Sequence, residues 1–271
     1  MVDRHNLNPA EALVAAGYDA VYEAAAHAPA LWELWRAYAA GRDFPSEFSH
    51  ISFVTVADLR HVAGALNLAD GGTLVDLACG MGGPSLWMIA PLSVALIGID
   101  ASPVAVESAT VRAADLGLRA RADFRVGTFA NTGLPDCSAD AIVSFDALQY
   151  APDKAAACAE MARVLKPGKR LAFTAFEVIA DRVSDLPVLG DQPVDDYAHL
   201  LEEAGFAVDA YEETPQWSER LVGAYEAILA NAITLEREMG EHGFSALSVE
   251  VAMTLERRPY RRRVRAIAIR R

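Results

Sequence analysis

The chain has 271 residues, 53% hydrophobic and 23% charged. That is too apolar for disorder and long enough for one large domain, or a domain with a sizeable insertion, that needs no disulfides. Lys plus Arg number 24 against 37 Asp plus Glu, a formal charge of -13, which disfavours a nucleic-acid binder because phosphate neutralisation needs a basic surface. Cys79, Cys137 and Cys158 match neither a disulfide framework nor a zinc motif, and the scattered histidines form no ligand pair, so reduced thiols and no metal are expected. Met1 to Glu11 lacks the apolar stretch of a leader, and Leu86 to Ile99 is broken by Pro91, Ser93 and Gly98. A cytoplasmic protein without membrane contact is the expectation.

From Asn8 to about Ala40 the chain is Ala-rich, with aromatic and aliphatic residues mostly three or four apart, which predicts helix punctuated by Pro29 and Gly41. A Phe-rich connector, Asp43 to Thr55, leads to a helix over Ala57 to Leu66. Strands and helices then alternate: Thr73 to Leu77 strand, Pro84 to Ala90 helix, Val94 to Ile99 strand, Pro103 to Leu116 helix, Ala122 to Val126 strand. Ala139 to Phe145 reads as a strand, Lys154 to Leu165 as a helix, and Arg170 to Phe176 as a strand after a Pro167–Gly168 turn. The alternation implies a parallel sheet. Val194 to Glu203 reads as a helix, Phe206 to Glu212 as a strand, Trp217 to Leu255 as a helical block and Arg262 to Ile269 as a closing strand.

Eight of the 24 basic residues fall in the last fifteen positions. Arg263 and Arg265 alternate with Val264 and Ala266, so a strand with one solvated face is preferred over an RNA-binding tail in so acidic a chain. Cys79, beside Gly80, reads as a small packing residue. Tyr18, Tyr22, Trp32, Trp35 and Tyr38 are either helix-packing surface or the wall of a substrate pocket.

Leu74 to Pro84 places a hydrophobic strand, Asp76 at its end, three glycines and a helix start in succession. Such glycines let the backbone approach a ligand closely at the carboxyl edge of a sheet. The spacing is Asp-x-x-x-Gly-x-Gly, and Ser85 stands where a dinucleotide fingerprint needs its third glycine. The next strand ends in Asp100, an acceptor-only carboxylate that matches the two donors of a ribose diol.

These segments resemble the class I S-adenosylmethionine-dependent methyltransferases, in particular the small-molecule type of quinone and natural-product biosynthesis. Asp76 to Gly82 is similar to their first motif and Ile97 to Ser102 to their second-strand motif. Asp140 to Ser144, Ala147 to Asp153 and Arg163 to Lys169 resemble later blocks, and the likeness covers roughly Asp70 to Glu213. It implies an α/β Rossmann-like sheet of seven mostly parallel strands, the last antiparallel, with helical lid elements. The division implied is a lid over 1–56, a cofactor-binding core over 57–213, a helical insertion over 214–259 and a final core strand over 260–271.

By the resemblance, Asp76, Ala78, Gly80 and Gly82 would line the methionine end of S-adenosylmethionine, Asp100 the ribose, and Ala101 and Ser102 the edge of the adenine. Thr128 and Phe129 stand where the family often has an adenine-binding Asp, and Phe145 and Asp146 would face the methionine portion. Tyr22, Trp32, Trp35, Gln149 and Tyr225 are the candidate walls of a small-molecule acceptor site. Gln149–Tyr150 replaces a His of related enzymes, leaving His50, Tyr150 and Glu177 as candidate bases. The implied reaction moves a methyl group to an O, N or C nucleophile, mainly by proximity and in-line orientation. A homodimer is left open. The alternatives are an NAD-dependent Rossmann oxidoreductase, disfavoured by the glycine spacing, and a non-catalytic cofactor-binding module.

Overall fold

A computed structural model of the chain describes residues 7–178 and 194–271; the first six residues of the stretch read as lacking a leader lie outside them. Helix α1 (Pro9–Ala25) begins with a reciprocal cap. The Asn8 side chain accepts the Glu11 N–H, and Glu11 accepts the Asn8 N–H. The helical stretch to Ala40 is interrupted at Pro29, the punctuation expected from the sequence, because proline disfavours helical geometry in the residue before it. Ala28 leaves the helical region, and α2 (Pro29–Trp35) starts anew with Pro29 in its first turn. A π-helical turn, Arg36–Ala40, follows and stops at Gly41, whose φ is +101°. Thr55 and Asp58 cap α3 (Val56–Leu66) reciprocally.

The sheet contains β1 (Thr73–Leu77), β2 (Ala95–Asp100), β3 (Ala122–Val126), β4 (Ala139–Phe145), β5 (Leu165–Val178), β6 (Phe206–Glu213) and β7 (Arg261–Arg270) in the order β3-β2-β1-β4-β5-β7-β6. The pairs β3–β2, β2–β1, β1–β4 and β4–β5 are parallel, and β7 lies antiparallel between β5 and β6. Strand order reverses between β1 and β4, which opens a crevice beyond their carboxyl ends. Helices α4 (Gly83–Ile89), α5 (Pro103–Asp115), α6 (Lys154–Val164) and α7 (Tyr197–Glu203) are the connections. Helix α7 begins later than predicted because the Asp196 carboxylate caps it through the Ala198 N–H.

Alternate strand residues serve opposite faces. Leu74, Leu96, Val143 and Ala172 join one core with α3, α4 and the N-terminal helices, while Val75, Ile99, Ile142 and Phe173 join another with α6 and α7. Between β6 and β7 the chain makes α8 (Trp217–Ala230) and α9 (Ala232–Arg257), the latter kinked at Gly240. Helix α8 packs on α2 and the π-turn, and α9 on α1 and α2, so the two added helical regions meet above the sheet edge.

One expectation is overturned on β7. The strand is present, but Arg263 and Arg265 do not face solvent: they are 0% and 7% exposed. Arg265 reaches Asp58 at 3.2 Å and Glu212 at 2.6 Å, and Arg263 reaches Asp146 at 2.7 Å. Burial of these charges is tolerable because carboxylates from α3, β4 and β6 converge on them. Alternation reports which residues share a face, and here the shared face is covered by α3 and α8.

Candidate active site

At the crevice, the turn after β1 is held by backbone bonds from Cys79 N–H to the Ile99 carbonyl at 3.1 Å and from Gly82 N–H to the Cys79 carbonyl at 2.9 Å. Ala78, Gly80 and Gly82 all have positive φ, a conformation that costs a residue with a Cβ energy and is tolerated where the surroundings over-determine it. A Cβ on Gly80 would sit 2.5 Å from the Tyr22 hydroxyl, so α1 rests directly on the loop. A second tie is the Ser102 hydroxyl donating to Asp19 at 2.5 Å.

The loop borders a cavity of about 670 Å³ that runs from the sheet edge to the helical regions. At one end the Asp100 carboxylate accepts the Gly80 N–H at 2.7 Å and the Ser102 N–H at 2.9 Å. Each oxygen retains accepting capacity. Burial pushes the Asp100 pKa up to about 6 against these bonds. Burial raises Asp76 to about 7, and its Oδ1 has no hydrogen-bond partner among the described residues. Gly127, Thr128, Phe129 and Ala101 continue the wall.

The other end is aromatic. Phe53 from the connector stands 5.1 Å from Trp35, 6.0 Å from Phe176 and 6.0 Å from Tyr225, ring centre to ring centre. Tyr18 meets Tyr150 edge-on at 5.4 Å. Glu250 on α9 and Arg261 on β7 are polar exceptions there; Arg261 lies over the Phe176 ring at 5.9 Å, and burial raises the Glu250 pKa.

Of the residues singled out from the sequence, Asp76, Ala78, Gly80, Asp100, Ala101, Thr128, Phe129, Phe145, Asp146, His50, Tyr150, Tyr22, Trp35, Gln149 and Tyr225 line this cavity. Four do not. Gly82 lies beneath, against the Phe124 ring, and Ser102 faces Asp19 and caps α5. Trp32 bonds the Ala25 carbonyl at 2.9 Å across the α1–α2 break. Glu177 is held by Arg262 at 2.6 Å and by the Tyr211 hydroxyl. Both Asp146 oxygens are engaged, by Arg263 and by the Phe53 N–H at 2.7 Å. Gln149 donates to the Asp146 carbonyl at 2.5 Å and accepts the Phe176 N–H, tying β4 to β5. Sequence reasoning missed Phe53, Phe176, Glu250 and Arg261, which come from four separate segments and share no motif.

A family model described as a methyltransferase domain matches residues 75–173, the span from β1 into β5. The chain is 29% identical over 256 residues to the 27-O-demethylrifamycin SV methyltransferase of Amycolatopsis mediterranei (strain S699), covering 88% of this chain and 92% of that one. It is 34% identical over 155 residues to the dimethylglycine N-methyltransferase of Parasynechococcus marenigrum (strain WH8102), where it spans about half of that protein's length, 52%. Among solved structures, the [4+2]-cyclase SpnF superposes with a TM-score of 0.67 at 24% identity, over 78% of this chain and 80% of that one, a likeness of fold. The methyltransferase domain matched from the glycine loop onward, together with a relative aligned along most of its length, supports an S-adenosylmethionine-dependent enzyme that transfers a methyl group to a small-molecule acceptor.

Proposed function

We propose that the acceptor is a hydroxyl group of a polyketide-like or phenolic natural product, and that the enzyme works by orientation and enclosure. The observation that carries this reading is one continuous cavity with two chemically unlike ends: buried carboxylates and a glycine loop at one, packed aromatic rings at the other. The rifamycin relative, whose name places its methyl transfer on an oxygen, supports oxygen as the acceptor atom.

The residues present fit the donor. Asp76, with its unpartnered buried oxygen, suits the ammonium of the methionine portion; Asp100 has lone pairs for the ribose diol; Gly80 lines the same wall beneath Tyr22. Thr128, Phe129 and Ala101 suit the adenine. S-adenosylmethionine supplies an electrophilic methyl group on a sulfonium, so the protein need not activate the donor. Trp35, Phe53, Tyr225 and Tyr22 exclude water and hold the acceptor, with residues 7–56 and 214–259 as the two lid pieces over the core.

Base catalysis has little support in the geometry. His50 is held neutral by burial, with its pKa lowered to about 3. Glu177 is tied to Arg262 away from the cavity, and burial raises the Tyr150 hydroxyl further above its ordinary range. An acceptor that enters as its anion needs no base.

The test is incubation with methyl-labelled S-adenosylmethionine and a panel of phenols, polyketide-like alcohols and amines, with product masses read. Label on hydroxyl compounds is the expected result. Label confined to amines or carbon would overturn the choice of oxygen.

A further inference from the structure

The connector before α3 carries one buried polar atom that the reaction described above does not use. His50 is 8% exposed, lines the cavity and lies edge-on to Phe44, with ring centres 4.4 Å apart. Its two nitrogens have unlike surroundings. Nδ1 receives the Ser52 backbone N–H at 3.2 Å and lies 2.9 Å from the Ser52 hydroxyl. Nε2 is buried and has no hydrogen-bond partner among the described residues.

A backbone N–H can only donate, so Nδ1 presents a lone pair. A neutral imidazole with its lone pair on Nδ1 carries its proton on Nε2. The charged groups around the ring come from three other elements: Asp146 at the end of β4, Arg112 on α5 and Arg263 on β7. The two guanidiniums oppose the carboxylate, and burial adds to them, so the ring stays neutral.

The same connector lies against the glycine loop. Arg112 donates to the Ser49 carbonyl at 2.6 Å and to the Met81 carbonyl at 3.1 Å, and a Cβ on Gly83 would fall 2.2 Å from the Phe48 carbonyl oxygen. These contacts hold His50 at the loop end of the cavity. A buried donor is normally satisfied, and an anionic oxygen satisfies it best.

We infer that His50 is a tautomer-locked hydrogen-bond donor whose Nε2–H serves the methionyl carboxylate of the bound methyl donor, and that it is not a proton acceptor. This rests on reading the loop end as the methionine site. It also explains why a histidine can occupy so dry a position: it is used for its N–H and not for its titration.

The experiment is long-range proton–nitrogen correlation on histidine-labelled full-length protein, with the His50 signals assigned by their loss in His50→Gln. The expected signature is the Nε2–H tautomer, unchanged between about pH 5 and pH 8, with the Nε2 resonance moving on addition of S-adenosylhomocysteine and not of decarboxylated S-adenosylmethionine. An Nδ1–H tautomer, or titration in that range, would overturn the donor role. Equal movement with the decarboxylated compound would overturn the carboxylate as its partner. Calorimetry adds a functional readout: His50→Ala is expected to weaken S-adenosylhomocysteine binding by about 10- to 100-fold, as for a hydrogen bond to a charged group, while His50→Gln, which keeps a donor, recovers much of it. Unchanged affinity in a folded His50→Ala protein would overturn the inference. Failure of the unaltered protein to bind S-adenosylhomocysteine would instead overturn the reading of the site, leaving the tautomer result to stand or fall on its own.

Discussion

The Arg263 guanidinium forks onto the Asp146 carboxylate, Nε to Oδ1 at 2.7 Å and Nη2 to Oδ2 at 3.1 Å, with the Arg263 side chain fully buried. Its remaining arm donates to the Thr214 hydroxyl at 3.0 Å, and Asp146 Oδ2 also takes the Phe53 N–H. One carboxylate at the end of β4 thereby joins the inserted strand β7 to the connector that brings Phe53 and His50 to the cavity. Asp146 adopts a φ of +54° to reach this position. These bonds set the lid connector in place as part of the fold.

Asp146→Ala is expected to destabilise the protein by about 3–5 kcal/mol, because it leaves the buried Arg263 guanidinium with only the more distant Asp58 carboxylate, at 3.9 Å, as a counter-charge among the described residues. Replacing both partners, Asp146→Leu with Arg263→Met, should recover most of that loss. Denaturant titration checks both variants; a double variant no more stable than Asp146→Ala would show that the pair contributes more than mutual neutralisation.

Asp76 should release a proton when the methyl donor binds. Its folded-state pKa of about 7 leaves it partly protonated in the free protein at neutral pH. A docked ammonium favours the carboxylate and lowers that pKa. Near pH 7 the binding enthalpy should therefore be more exothermic in Tris, which takes up the proton with release of heat, than in phosphate. The difference should disappear in Asp76→Asn. The same raised pKa means that the folded state holds the proton between 3.8 and about 7. The stability contributed by this group is thus present at low pH and lost as pH rises through that window.

Asp100→Ala removes the acceptor of two backbone N–H groups as well as the candidate ribose contact. Affinity for S-adenosylhomocysteine is expected to fall by about 10- to 150-fold, with the helical content retained. Calorimetry and circular dichroism on the same sample test it, and normal affinity in the folded variant would refute the ribose assignment.

Gly83→Ala should cost about 1–3 kcal/mol, since the new methyl meets the Phe48 carbonyl at 2.2 Å and backbone has little room to yield. Gly80→Ala meets the Tyr22 hydroxyl, which can swing away, but its φ of +52° strains any residue with a Cβ, a cost of about 1–2 kcal/mol. It should also loosen α1, seen as faster hydrogen exchange over Pro9–Ala25.

Much of the fold was legible in the chain itself. Local rules determined it: β1, β3 and β4 fall where the apolar runs predict them, the caps at Asn8 and Thr55 start their helices, and the Asp76 to Gly82 loop carries its geometry in its own glycines. The candidate donor end of the cavity was legible for the same reason, being built from strand ends and the turns directly after them. Tertiary structure decided the rest. Period-two alternation identifies the shared face of Arg263 and Arg265, but only the packing of α3, α8 and the connector turns that face into a buried ionic cluster. Likewise Phe53, Phe176 and Tyr225 meet because three distant segments converge, and Nε2 of His50 is left for a ligand because the Ser52 N–H and the Phe44 ring close the other sides of the imidazole. Which hydrogen bonds a side chain forms depends on its neighbours in space, and for these residues those neighbours are set by packing between elements far apart in the chain.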